Sequence, residues 1–105
     1  MRRFNDAKEK NFERLEQYVP VVARVHGGTH PEFHDVKKVF DEISGKIRES
    51  RSEQIELDNE FKQLRGITDN YTVPGDVCET YEAVYKMLAE LDGAYQEDLK
   101  SKNNK

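Results

Sequence analysis

Apolar residues recur along this chain at alternating spacings of three and four, the signature of helices with one buried stripe. The first such stripe is Phe12, Leu15, Val19, Val22 and His26, and it predicts a helix over about residues 4–26. Gly27 and Gly28 are expected to end it, because glycine readily takes the left-handed conformation past a helix end. Thr29 and Glu32 have the spacing of a capping box, and Pro31 is tolerated in a first turn. A second stripe runs Phe33, Val36, Phe40, Ile43 and Ile47, and the same count then lands on Ser50, Gln54, Leu57, Phe61 and Leu64. "ESRSEQ" at 49–54 has neither proline nor glycine, so the pattern predicts one helix over about 31–66. At about 1.5 Å per residue it would be about 54 Å long. Gly45 is its weak point, costing up to about 1 kcal/mol relative to alanine.

"GITDNYTVPGD" at 66–76 reads as the one clear loop, punctuated by Gly66, Asn70, Pro74 and Gly75. Asp76, with Glu79 three residues on, is placed to cap a last helix over about 76–100. Its stripe is Tyr81, Val84, Leu88, Leu91 and Tyr95, then Asp98 and Lys102, with 101–105 a frayed tail. Stripes on every element predict a single all-α helical domain over residues 1–105. Six polar residues break the pattern by falling on or near a stripe: Asn5, His26, Ser50, Gln54, Asp98 and Lys102. Polar groups inside a helical core cost free energy unless paired. They therefore mark an open end, an internal network or a site.

Composition narrows the function classes. The 105 residues are 36% charged and 35% hydrophobic with a net charge of −4, acid and base interleaved. No basic cluster with interspersed aromatics suggests nucleic acid. No segment reaches transmembrane length, and "MRRFNDAKEK" lacks the apolar run of a secretory signal. The single cysteine excludes an internal disulfide and a multi-cysteine metal site, so a reducing cytoplasm is the expected setting. No serine–histidine–acid arrangement, phosphate loop or zinc spacing occurs. His26 reads either as a metal ligand or as a partly buried histidine favoured by a helix end. His30 and His34, at i and i+4, could chelate a divalent metal or be ordinary surface histidines. Cys78, near the start of the last helix, is either a favoured thiolate or a small buried residue. Asp98 and Lys102 have the spacing of a helix ion pair, worth about 0.3–0.5 kcal/mol if exposed. In each case the plainer reading is expected.

"ARVHGGTHPE" followed by "VFDEI", then "LRGITDNYTVPGDVCETYEAVYKMLAEL" and a late "KNN", resembles the hemerythrin-like domain of the iron–sulfur cluster repair di-iron proteins. The likeness spans most of the chain and holds at loops as well as helices. It implies an antiparallel four-helix bundle holding two non-haem irons by histidines and bridging carboxylates. Carried over residue by residue, it keeps one histidine, His26. Asn5, Ser50 and Gln54 stand where histidines are expected, and Asp98 and Lys102 replace a His-x-x-x-Glu pair. Asparagine, serine and glutamine are weak iron ligands, and a protonated lysine offers no lone pair. The family also has more residues between its second and third helices, and its cysteine-containing amino-terminal domain has no counterpart in these 105 residues.

Without that hinge, the second and third helices would fuse and two chains would exchange halves, so a domain-swapped homodimer is expected. A monomer with a tight turn near Ser50–Ser52 is the alternative. No metal or cofactor is expected, with His26 and Asp98 as vestigial ligand candidates. The expected role is non-catalytic, binding or structural, in a homodimer and with room for another protein partner. Enzymatic activity is left open without being expected. Two alternatives stand: an iron-binding repair or stress-response protein with a reduced site, and small-ligand binding in the vacated cavity.

Overall fold

The structure, a computed structural model, describes residues 1–50 and 55–103, with the backbone alone for Lys102 and Asn103. Four helices account for most of it: α1 (Arg2–His26), α2 (Glu32–Glu49), α3 (Asp58–Ile67) and α4 (Glu79–Asn103). No strand occurs among the described residues. The all-α reading is therefore met. The molecule measures 45 × 25 × 21 Å, its long dimension set by α1 and α4. At 25 residues each, these two helices are about 37 Å long.

Burial follows the stripes. Leu15, Val19 and Val22 on α1, Phe33, Val36, Phe40 and Ile43 on α2, and Tyr81, Val84, Leu88, Leu91 and Tyr95 on α4 are all buried. Phe4 and Ala7 extend the α1 stripe towards its start. Phe12 is half-buried, its ring 5.4 Å from that of Phe40 across the α1–α2 seam. Each fully buried large apolar side chain contributes about 1.5–3 kcal/mol. Arg3 meets Glu97, Lys10 meets Glu90 and His26 meets Cys78, so the start of α1 lies beside the end of α4. Pro20 lies within α1 on its exposed face, where water can satisfy the carbonyl that its missing N–H leaves free.

The long second helix is not formed. α2 ends at Glu49, Ser50 is extended (φ −73°, ψ 131°), and α3 starts only at Asp58. The physical reason is burial. A straight helix to residue 66 would carry Leu57, Phe61 and Leu64 past the ends of α1 and α4. In the folded-back chain all three are fully buried. Lys46 fastens the return within one chain, pairing with Glu60 at 2.8 Å and donating to the Glu56 carbonyl at 3.2 Å. The Leu57 N–H, just ahead of α3, donates to the Tyr95 hydroxyl at 2.9 Å. The continuous helix on which a chain exchange would rest is thus absent. Of the alternative turn, Ser50 is described; Arg51, Ser52 and Gln54 lie outside the described residues.

Three local expectations are corrected. Gly27 ends α1 in a right-handed conformation (φ −59°). A β-carbon there would collide with the Ala23 carbonyl oxygen, a backbone atom, as well as with the His34 imidazole. The Thr29–Glu32 capping box does not form: Thr29 Oγ1 donates to the His26 carbonyl and Glu32 takes up His30. Asp76 likewise faces His30, ahead of a helix that begins at Glu79 rather than at residue 76. The left-handed residues are instead Asp69, Asn70 and Tyr71, with φ of 52°, 59° and 62°, following α3.

Candidate functional site

Of the polar stripe residues whose side chains the structure describes, Asn5, Ser50 and Asp98 lie towards one end and His26 lies at the other. Asp98 lies at the start of α1, where its carboxylate accepts the backbone N–H groups of Arg3 (3.2 Å) and Phe4 (2.8 Å). Met1, the residue ahead of α1, supplies no side-chain cap, and the first turn carries no acidic residue. Asp98 therefore does from α4 what a local cap and a first-turn acid normally do. Asn5 is half-buried one residue beyond Phe4. Ser50 belongs to the same end, because the α2–α3 connection is tied there through Leu57 and Tyr95, whose ring packs 5.8 Å from that of Phe4. His26 is at the opposite end of α1. Twenty-two residues of helix separate it from Phe4, about 33 Å. Gln54 and the Lys102 side chain lie outside the described residues.

The His26 end is a corner built from the α1–α2 turn and the start of α4. His26 Nε2 lies 3.2 Å from Cys78 Sγ, and its ring stands edge-on to Tyr81 at 5.4 Å. Cys78 is exposed, contrary to the expected buried residue. Its carbonyl accepts the Glu82 N–H, so its position is that of the cap of α4. His30 packs 5.5 Å from the same Tyr81 ring and reaches Glu32 with Nδ1 (2.9 Å) and Asp76 with Nε2 (3.1 Å). The Glu32 hydrogen bond, more than any other contact, raises the His30 pKa above the ordinary histidine value, against the opposing effect of burial. His34 is exposed and does not join His30 on a common partner. Beneath, the Tyr81 and Tyr85 hydroxyls meet at 3.3 Å, and burial raises both phenols above the usual tyrosine range.

Sequence reasoning missed two buried carboxylates. Asp92 accepts from Arg65 through both oxygens (2.9 Å each), from the Tyr71 hydroxyl (2.8 Å) and from Gln96 (3.2 Å). Burial first, and then this hydrogen bond, keep Tyr71 protonated. Glu60 has one oxygen on Lys46, and its Oε1 is buried with no hydrogen-bond partner. Asp92 lies one residue from the stripe residue Leu91, a weak sign of burial. Glu60 carries the same weak sign, one residue from the stripe residue Phe61.

Among the described residues no group of three or more histidines, cysteines or carboxylates converges on a point that could hold a metal ion. His26 and Asp98 are too far apart to share one. Where Asp98 lies, Phe4, Phe61 and Tyr95 pack ring against ring at 5.3–6.4 Å and fill the interior. A groove of about 320 Å³ opens between α1 and α2, lined by Glu16, Pro20, Phe40, Ser44, Gly45 and Arg48 and spanned by the Arg48–Glu16 ion pair. No described helix is long and apolar enough to cross a membrane.

Against known proteins, the chain is similar to an iron–sulfur cluster repair protein, ScdA, of Staphylococcus haemolyticus (strain JCSC1435), with 23% identity over 133 residues. The match takes in 97% of this chain and 60% of the length of that protein. Because 97% of 105 residues is about 102, the matched stretch includes about 30 positions without a counterpart here. No protein-family model matches the chain, and no solved structure matches it.

Proposed function

We propose that the chain is an antiparallel bundle of the hemerythrin-like type, related to iron–sulfur cluster repair proteins. In this reading it has given up the di-iron centre and acts as a non-catalytic binding or structural protein. Support for the relationship comes from a match that runs nearly end to end. Support for the lost metal comes from one observation above the others: Asp98, at a position where the resemblance calls for an iron ligand, has both oxygens engaged in capping α1. Lysine at 102 and asparagine at 5 add no donor suited to iron. What remains is a rigid four-helix scaffold, whose connection to cluster maintenance would run through contact with other components rather than through chemistry of its own.

Metal analysis of protein purified from iron-fed cells tests the reading. The expected result is iron well below one atom per chain and a melting temperature unmoved by ferrous iron, since a tightly bound ion stabilises the fold that binds it. Stoichiometric iron that is lost in His26→Ala or Asp98→Ala would overturn it.

A further inference from the structure

We propose that His30, as an imidazolium, is a pH-set clasp that holds the connection between α3 and α4 against the start of α2. Both ring nitrogens face carboxylates, Nδ1 that of Glu32 at 2.9 Å and Nε2 the two oxygens of Asp76 at 3.1 and 3.3 Å. A carboxylate only accepts, so satisfying both contacts requires a proton on each nitrogen, which the neutral ring cannot provide. Once one proton leaves, one carboxylate faces a lone pair. Glu32 is two residues away on the same segment, whereas Asp76 is 46 residues away and its side chain is 74% exposed. Asp76 is therefore the partner released to solvent.

The other groups around the ring do not compete for its protons. Tyr81, from α4, presents its ring and directs its hydroxyl to Tyr85. From α1, His26 packs on the same Tyr81 ring and directs Nε2 to Cys78. The two carboxylates raise the pKa of His30, the Glu32 hydrogen bond contributing most. The contribution of the clasp is thus fully present below the ordinary histidine value of 6.5 and is lost as pH rises through the raised one. Release of Asp76 frees the chain two residues before Cys78, and with it the contact between Cys78 and His26. The corner is closed in mild acid and loosened in mild alkali.

Hydrogen exchange, corrected for intrinsic rates, reads this directly at the amides of Thr72, Val73 and Gly75 through Cys78, with the α1 and α4 interior as reference. Between pH 5.5 and 8.5 the segment is expected to lose about two- to fivefold in protection, the scale of an exposed charged contact. In Asp76→Asn, protection is expected to be low at both pH values and the His30 ring resonances to titrate at lower pH. In His30→Gln the pH dependence is expected to vanish. Protection that is constant across this range in the unsubstituted protein, or a pH dependence that persists in Asp76→Asn, would overturn the proposal. Asp76 is exposed enough that its substitution leaves the core intact, so the test does not depend on the histidine variant folding.

Discussion

Asp92 and Glu60 are both buried acids on helices, and each is paired with a base on another element. They differ in what the rest of the carboxylate meets. Every lone-pair direction that matters on Asp92 has a donor: a guanidinium, a phenol and an amide. Glu60 has a single ammonium on one oxygen and nothing on the other. A buried charge is offset only when its geometry is complete, and otherwise desolvation outweighs attraction. Asp92 should therefore hold the fold together, whereas the Glu60–Lys46 pair should mainly fix where α3 returns against α2.

The largest expected effect separates the two cleanly. Asp92→Ala strands the Tyr71 hydroxyl and the Arg65 charge together and should cost about 3 kcal/mol, read from urea unfolding midpoints. A loss below about 1 kcal/mol would put Asp92 on a par with a surface acid. Next, Lys46→Met should cost about 2 kcal/mol at neutral pH, because Glu60 is left buried without its cation. The double change Lys46→Met/Glu60→Leu should return to within about 1 kcal/mol of the original, while Arg65→Met/Asp92→Leu should not, since Tyr71 and Gln96 lose their acceptor. Equal recovery in both doubles would erase the distinction.

The pair also sets a pH dependence. Glu60 raises the pKa of Lys46 above 10.5, so its contribution is present at neutral pH and lost as pH rises through the raised value. Lys46→Met should remove that alkaline slope from the stability curve. Smallest of all, Asp98→Ala should cost about 1 kcal/mol, the usual worth of a helix cap, and speed amide exchange at Arg3 and Phe4. An unchanged exchange rate there would mean that the cap adds nothing.

Much of this architecture was legible in the chain. The apolar centres of the α1 and α4 stripes, Leu15 to Val22 and Tyr81 to Tyr95, are buried as the spacing predicts, because period and burial are the same fact seen twice. The break after Glu49 is not legible, because the residues between α2 and α3 leave Ile47 and Leu57 in helical phase and include no glycine or proline. What decides it is tertiary: Leu57, Phe61 and Leu64 are buried only if the chain doubles back. Asp98 stands out as an anomaly on its stripe, but its capping role does not, since a cap supplied from a residue 94 positions away has no local spacing to betray it. Cys78 is expected to be buried because its type usually is, and the corner in which it is exposed forms only when α4 meets His26. Asp92 and Glu60 were lost among the many charged residues of a chain in which they make up 36%.

The turn after α3 has a consequence of its own. Three successive residues take the left-handed backbone conformation, which Asp69 and Asn70 tolerate and which costs Tyr71 roughly 1–2 kcal/mol. Tyr71, the last of them, is held at its N–H by Thr68 and at its hydroxyl by Asp92. That stored tension lasts only while α4 supplies the anchor. The Asp69–Tyr71 turn and its Asp92 anchor on α4 should therefore let go together rather than one after the other.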